Sequence, residues 1–268
     1  MLQSSRNSLA LVLEDVNNTL STASPKVIGD GLLGISGVLA ENVNLRKTLV
    51  DVAVAPETKK STLNAVFGTR VDDAALQIVV RAANRRFARA QDFVTAVETA
   101  GVTAIAAAAQ AEGTLGQVEE EIFRFTRLLV SDHELDGAFE YPAPATAKRE
   151  LVSSLLASRV SEYTLTLIHY AVSHPRGKRV SETLENFSQV LAFRQQRAVA
   201  EVTVAHPLTQ EQEERLARAL SASYGRELVL NVHIDPNVVG GVRVQVGDEV
   251  TSSTIADRIA DVRRRLAS

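Results

Sequence analysis

The stretch at residues 234–248, IDPNVVGGVRVQVGD, restricts the fold of this chain more than any other segment. Apolar and polar residues alternate before it, over residues 228–234, and again within it, over residues 242–246. A period of two residues is typical of half-buried β-strands. Between the two runs, Asp-Pro-Asn at 235–237 is turn chemistry, because proline presets φ and Asp and Asn favour turns. The stretch therefore predicts two strands of a small sheet with a constrained connection.

Gly240 and Gly241 stand at the head of the second strand, where a residue without a Cβ permits a backbone conformation or a close approach that other residues block. A phosphate-binding loop is the alternative interpretation. We favour a structural turn, because GxxxxGK[ST] and GxGxxG are both absent and the glycine pair precedes a strand and not a helix. The predicted structural motif comprises Asp235, Pro236, Gly240, Gly241, Gly247 and Asp248.

The pattern around this motif predicts a small domain of order β-α-β-β-α over residues 198–268. A first strand places Val202 and Val204 on one face. Thr209 and Gln212 have the spacing of a capping box, which predicts the start of a helix. The apolar residues of the last helix recur at helical spacing and are Ile255, Ile259, Val262 and Leu266.

Residues 1–197 show helical periodicity and contain an internal repeat. Leu39 and Leu49 recur as Leu129 and Phe139, an offset of 90 residues. Further matches occur at offsets of 88 and 89, and small differences in loop length account for this drift. We therefore predict two copies of one helical bundle, residues 1–100 and 101–197, and an α+β chain that is mostly α.

Composition excludes several classes of protein. The formal net charge of −3 gives no electrostatic basis for nucleic-acid binding. The absence of cysteine excludes disulfides and zinc–thiolate sites. The five histidines lack a metal-ligand spacing such as HExxH, and the nucleophile motif GxSxG is missing. The sequence thus predicts a binding protein without catalytic, cofactor or metal sites.

The sequence also predicts no direct membrane insertion. The longest weakly polar runs, residues 31–40 and 100–111, are shorter than the ~20 residues that a spanning helix needs. Glu14 and Asp15 stand where a signal peptide would have its cleavage region. We expect any link to a membrane to go through a partner.

Two clusters of basic residues occupy equivalent places in the two copies. They comprise Arg81, Arg85, Arg86 and Arg89 in the first copy, and His174, Arg176, Lys178 and Arg179 in the second. One interpretation is a docking surface for an acidic partner helix. The other, which we favour, is a set of solvated helix ends, where basic residues complement the helix dipole.

The C-terminal motif resembles the delta subunit of F-type ATP synthases, the family of the mitochondrial oligomycin-sensitivity-conferring protein. The similarity covers about residues 199–266, and it includes VTVA at 202–205, PLT at 207–209, YGR at 224–226 and VGDEV at 246–250. The internal repeat agrees with it, since a longer bacterial form of this subunit carries an additional copy of the helical domain. One departure is Ser252-Ser253, which stands where the family usually has Asp-Gly.

This resemblance implies a non-catalytic stator subunit that ties the catalytic head of a proton-translocating ATP synthase to the membrane-anchored b stalk. It implies one copy per complex, held peripherally at the cytoplasmic face of the plasma membrane. The helical domain would receive an amphipathic N-terminal helix of an α subunit, and the C-terminal domain would hold the end of b. In the second copy, the α-subunit groove would involve Ile122, Phe123, Phe125, Leu165 and Ile168.

A function of another class also fits the patterns. The chain could be a helical-repeat adaptor with a small α/β ligand-binding module, unrelated to ATP synthesis. Purification from membranes distinguishes the two hypotheses, because co-elution of α, β and b subunits is expected only for the stator subunit.

Overall fold

The computed structural model describes residues 1–156, 159–197, 199–224, 228–235, 241–246 and 249–252. The chain divides into two compact units, a helical unit, Met1–Ala192, and a C-terminal unit, Phe193–Ser268. Helices dominate and the strands all lie near the C-terminus, so the predicted α+β, mostly α class is confirmed. Phe193 lies within α11, Val180–Arg197, so this helix crosses the division between the units.

The helices before the first strand are α1 Gln3–Thr19, α2 Pro25–Glu41, α3 Val43–Val50, α4 Pro56–Phe67, α5 Asp73–Ala83, α6 Ala90–Ala111, α7 Leu115–Ser131, α8 His133–Glu140, α9 Ala145–Leu156, α10 Glu162–Ser173 and α11 Val180–Arg197. The following elements are β1 Val199–Val204, α12 Gln210–Tyr224, β2 Val229–Ile234, β3 Val242–Val246 and β4 Glu249–Ser252.

The helices repeat with a nearly constant spacing along the chain. Helices α2 to α6 begin at residues 25, 43, 56, 73 and 90, and helices α7 to α11 begin at residues 115, 133, 145, 162 and 180. The successive offsets are therefore 90, 90, 89, 89 and 90 residues. Helix lengths follow the same pattern, since α2 and α7 both have 17 residues and α3 and α8 both have 8. The predicted duplication of one helical bundle is thus visible element by element.

Helix α6 belongs to both copies. It is the counterpart of α11, which ends the second copy, and it also contains residues 93–109, which lie 90 positions after α1. The same 22-residue helix is therefore the last helix of the first copy and the first helix of the second. Residues 100 and 101, between which the sequence predicts the border of the copies, are consecutive buried residues inside it.

Helix α6 is buried on nearly all sides. Every residue from 100 to 109 is buried, and seven of these ten are alanine or glycine. The helix is long and apolar enough to cross a membrane, which the short apolar runs in the sequence did not predict. However, 83% of its most apolar window is buried inside the protein, as in the core helix of a globular domain. Small side chains let neighbouring helices approach closely from both copies.

Each copy has its own apolar core beside α6. The first includes Phe67 and Phe93, and the second includes Phe139 and Phe187. Leu33 crosses the border, because it lies on α2 of the first copy and packs into the core of the second. Helix α2 therefore contributes to both cores.

Side-chain caps mark the start of several helices. Asp72 accepts a hydrogen bond from the Ala74 amide, and Asp132 accepts from two amides of the first turn of α8. Helix α2 begins differently, with Ser24 at the N-cap making no side-chain cap hydrogen bond and Pro25 as the first helical residue. A side-chain N-cap typically contributes about 1 kcal/mol.

The C-terminal unit contains a four-stranded sheet in the order β2-β1-β3-β4. Strand β1 pairs in parallel with β2 and antiparallel with β3, which in turn pairs antiparallel with β4. Helix α12 connects the two parallel strands, which cannot be joined by a tight hairpin. Val202 of β1 lies opposite Val244 of β3, and both are buried on the same face.

Both strands predicted around the motif are present, as β2 and β3, although β1 lies between them in the sheet. The sequence did not predict β4, whose four residues are too few for an alternating pattern. The capping box is confirmed: the Thr209 amide donates to Gln212 Oε1 at 2.9 Å, and the Gln212 amide donates to Thr209 Oγ1 at 3.3 Å. The predicted last helix, around residues 255–266, lies outside the described residues.

The close packing of α2 against α6 leads to a specific prediction about Gly101. A Cβ on Gly101 would lie 2.9 Å from Cγ of Leu33 and 3.1 Å from its backbone nitrogen, so Gly101→Val should destabilise the helical unit by about 1–3 kcal/mol through overpacking. Gly34→Val is the matched control, because the described residues leave open space around its Cβ. Urea unfolding compares the two variants, and equal midpoints would contradict the tight contact.

Candidate functional site

The predicted α-subunit groove divides into a buried part and an exposed part. Ile122, Phe125 and Ile168 are buried in the core of the second copy. Leu165 is half-buried against that core, and Phe123 is 51% exposed. Successive residues of a helix are about 100° apart, so Phe123 points away from the core that its neighbour Ile122 enters. Of the five predicted residues, Phe123 is the one that a partner could contact without rearrangement of the core.

Phe123 belongs to a line of exposed residues on α7. The line continues one and two turns later with Arg127 and Val130, and Val130 is 61% exposed. The guanidinium carbon of Arg127 lies 5.9 Å from the centre of the Phe123 ring, within the distance of a cation–π contact. We call Phe123, Arg127 and Val130 the α7 stripe. The α7 stripe presents apolar area and a positive charge on one side of the helix.

The repeat shows how unusual this exposure is. The residues 90 positions earlier are Leu33, Gly37 and Ala40 of α2. Leu33 is only 3% exposed, Gly37 is buried and Ala40 is half-buried. A Cβ on Gly37 would lie 2.6 Å from Nε2 of His174, which belongs to the second copy. The line that is an internal interface in the first copy is thus an exposed surface in the second.

The C-terminal motif is described only in part. The Asp235 amide donates to the carbonyl oxygen of Val204 at 2.9 Å, which ties the end of β2 to the end of β1. Gly241 has φ +86°, in the left-handed region that residues with a Cβ rarely adopt. Pro236, Gly240, Gly247 and Asp248 lie outside the described residues. Ser252, at the departure from the family pattern, ends β4 opposite Arg243.

The exposed face of the sheet carries a polar cluster centred on Glu201. Its Oε1 accepts a hydrogen bond from Asn231 Nδ2 at 3.0 Å, and its Oε2 lies 2.7 Å from His233 Nε2. The hydrogen bond from Asn231, together with the contact to His233, lowers the pKa of the Glu201 carboxyl group. These contacts bridge β1 and β2 on the side opposite the buried valines.

The two basic clusters differ in their partners. In the first copy, Arg85 Nη2 lies 2.6 Å from Asp15 Oδ2, and Arg81 Nε lies 3.3 Å from Asp15 Oδ1. In the second, Arg176 pairs with Glu98, and both side chains are only 8% exposed. Internal carboxylates thus hold the central arginines of both clusters, which does not favour a free docking surface for an acidic helix. Sequence reasoning missed Asp15 and Glu98, because they lie about 70 to 80 residues away from their arginines.

No described group of three or more His, Asp or Glu side chains could hold a metal ion. His169 Nε2 lies 3.0 Å from Ser153 Oγ, which joins α9 to α10, and burial lowers the pKa of this histidine. Tyr163 donates to Glu112 Oε1 at 2.6 Å, and burial together with this bond raises its pKa to about 12. These polar contacts hold helices of the second copy together.

Comparison with known proteins decides the family. Residues 102–266, more than half of the chain, match the family model described as ATP synthase delta (OSCP) subunit. The chain belongs to this family. The match begins within α6 and covers the second copy and the C-terminal unit.

Relatives of the family extend the similarity to the whole chain. An ATP synthase subunit delta from Thermobifida fusca is 40% identical over 264 residues, which cover 98% of each chain. One from Acidothermus cellulolyticus is 39% identical over 274 residues, with complete coverage of both chains, and one from Streptomyces avermitilis is 39% identical over 267 residues. The protein is therefore a non-catalytic peripheral-stalk subunit of an ATP synthase, within a membrane-associated complex.

The position of His174 predicts a pH dependence of stability. Burial lowers its pKa from the ordinary 6.5, as do the charges of Arg149 and Arg176, whereas Glu41, 3.5 Å from Nδ1, opposes the shift. Since the unfolded chain then binds more protons, the helical unit should lose stability as the pH falls below 6.5.

His174→Asn tests this dependence, because asparagine is the residue at the equivalent position 84 of the first copy. Urea unfolding at about pH 8 and about pH 5.5 should show a smaller loss of stability for the variant than for the wild type. His169 should contribute to the loss that remains, because burial also lowers its pKa. An identical loss in both proteins would exclude His174 as a cause.

Proposed function

We propose that the second helical copy receives the N-terminal helix of an α subunit on the α7 stripe. Phe123 is the contact residue among the five predicted from the sequence. The other four predicted residues belong to the core of the second copy or pack against it, beneath this surface: Ile122, Phe125, Leu165 and Ile168. The proposal places this subunit on the catalytic head, once per complex and on the cytoplasmic side of the membrane.

The exposure of Phe123 and Val130 carries the proposal. They are seven positions apart, so they lie two turns apart on the same side of α7, where they would form one wall of the groove that an amphipathic helix enters. Aromatic and arginine side chains dominate the binding energy of many interfaces, and the stripe supplies one of each. An acidic residue on the partner helix would complement Arg127.

We further propose that the C-terminal unit binds the end of the b stalk. One face of its four-stranded sheet carries the buried valines of β1 and β3. The hydrogen bond from the Asp235 amide joins the ends of β2 and β1, and Gly241, with a positive φ, precedes β3. The two separate compact units support this division of labour, because the sheet has a core of its own, apart from the two cores of the helical unit. Membership of the delta family does not favour the alternative adaptor function.

A charge on the α7 stripe should weaken binding of the α subunit. Phe123→Asp places a carboxylate on an apolar anchor, and we expect the affinity for a peptide of the α-subunit N-terminus to fall by at least about tenfold. Phe125→Asp is unsuitable, because Phe125 is buried in the core.

Val52→Asp is the control for this variant, since Val52 is 84% exposed and lies in the first copy. Isothermal calorimetry with both folded variants gives the affinities. If Phe123→Asp binds the peptide as tightly as Val52→Asp does, the α7 stripe is not the binding surface.

Gly241→Val should uncouple the two binding functions. A branched side chain at φ +86° costs about 1–3 kcal/mol in backbone strain, which is a large part of the stability of a small domain. The helical unit has its own cores and should keep its affinity for the α peptide, whereas the affinity for a peptide of the b C-terminus should fall. Gly137→Val, a helical glycine with open space around its Cβ, is the control. A parallel loss of both affinities would refute the proposed division of labour.

A further inference from the structure

A buried ion pair joins the shared helix α6 to the loop that follows α10 of the second copy. Arg176 Nη2 donates to both carboxylate oxygens of Glu98, each at 2.5 Å. Arg176 also donates through Nη1 to Thr95 Oγ1 at 3.3 Å. Both charged side chains are almost fully enclosed, so solvent screens their attraction weakly. Removing one partner would leave the other charge buried and unpaired, which is strongly unfavourable.

Hydrogen bonds extend this pair to helix α2 of the first copy. The Tyr170 hydroxyl oxygen lies 3.1 Å from Glu98 Oε2 and 2.9 Å from Ser36 Oγ. Ser36 donates to the carbonyl oxygen of Val94 at 3.3 Å. The network therefore connects α2, the shared helix α6, α10 and the loop after α10. A buried polar network of this kind favours one relative arrangement of the helices that it joins.

The backbone of Arg176 is held in an unusual conformation. Its φ is +51°, and the next residue, Gly177, has φ +76°. A residue with a Cβ adopts the left-handed region at a cost, and surrounding contacts must maintain it. The Lys178 amide donates to the Pro175 carbonyl oxygen at 2.9 Å and closes a turn around Arg176 and Gly177, while Glu98 and Thr95 hold the Arg176 side chain.

Glycines in α2 and α6 allow the close approach that the network needs. A Cβ on Gly29 would lie 2.7 Å from Cδ1 of Ile105, and a Cβ on Gly37 would lie 2.6 Å from His174 Nε2. Helix α2 is therefore in direct contact with the second half of α6 and with the end of α10. Larger side chains at these glycines would separate the copies.

The equivalent positions in the first copy lack this chemistry. Ser8 occupies the place of Glu98, 90 residues earlier, and its hydroxyl donates to the backbone carbonyl of Arg86, the counterpart of Arg176. A serine carries no charge, so the ion pair is not a general feature of the bundle. In the second copy, the pair is linked through Tyr170 to Ser36 of the first copy.

We propose that the buried network of Glu98, Arg176, Tyr170 and Ser36 is a clamp that holds α10 of the second copy against α2 of the first and so keeps the two helical copies in one fixed arrangement. Force applied to either copy is then transmitted to the other without a hinge at the duplication. This inference goes beyond the proposed docking of partner helices and does not depend on it.

Distance measurements between two spin labels test the clamp. The chain contains no cysteine, so Val52→Cys and Tyr141→Cys introduce two unique labelling sites. Val52 is 84% exposed in the first copy, and Tyr141 is 70% exposed in the second. Pulsed electron–electron double resonance on the doubly spin-labelled full-length chain should give one narrow distribution of the distance between the labels. A broad or double distribution in this parent protein would overturn the proposal at once.

Glu98→Ala in the labelled protein should broaden the distribution or split it into two populations. Asp15→Ala is the matched control, because it breaks the Asp15–Arg85 ion pair within the first copy. This control should leave the distribution as narrow as in the parent. A folded Glu98→Ala protein with an unchanged distribution would show that the pair does not hold the copies together.

A second variant keeps the test valid if Glu98→Ala does not fold. Glu98→Gln preserves the shape of the side chain and removes its charge. Hydrogen exchange of this variant should be faster in α2 around Ser36 and in α10 around Tyr170, and unchanged in α4, which packs mainly on α5. Uniformly faster exchange, or no change at all, would reject a local clamp.

Discussion

The burial of α6 is the constraint on which the helical unit depends. A helix enclosed on every side must be apolar around its whole circumference, and close packing of several helices against it requires small residues. The run from residue 100 to 109 meets both conditions, with alanine and glycine at most positions. Both copies use this helix, so the two bundles cannot be separated without exposing it. The close contacts of Gly29 and Gly101 follow from the same geometry.

Much of the architecture could be predicted from the sequence, because the sequence contains local signals for helix ends and strands, and an internal repeat. The Thr209–Gln212 capping box and the two alternating strands depend on neighbouring residues, and the structure contains them. The duplication was visible because apolar positions recur at a fixed offset. Strand order could not be predicted, since the insertion of β1 between β2 and β3 depends on long-range pairing.

The candidate site was harder to predict for a physical reason. Apolar residues at helical spacing can face either the core or a partner, and the spacing alone does not distinguish Phe123 from Phe125. The structure distinguishes the two residues, because Phe125 is buried and Phe123 is exposed. Glu98 and Asp15 were missed because an ion pair between distant helices leaves no local pattern in the sequence.

The sharing of α6 also affects how such a chain could evolve or be shortened. An ordinary duplication leaves two complete modules, and either can be deleted at the connection between them. Here the connection between the modules is α6, which is apolar and buried. A chain beginning near residue 90 would expose to water the side of α6 that packs in the core of the first copy. Loss of the added bundle would require simultaneous replacement of several of these apolar residues by polar ones. Because α6 is apolar on both sides, removing the first bundle would carry a cost in stability that removing an independent module does not.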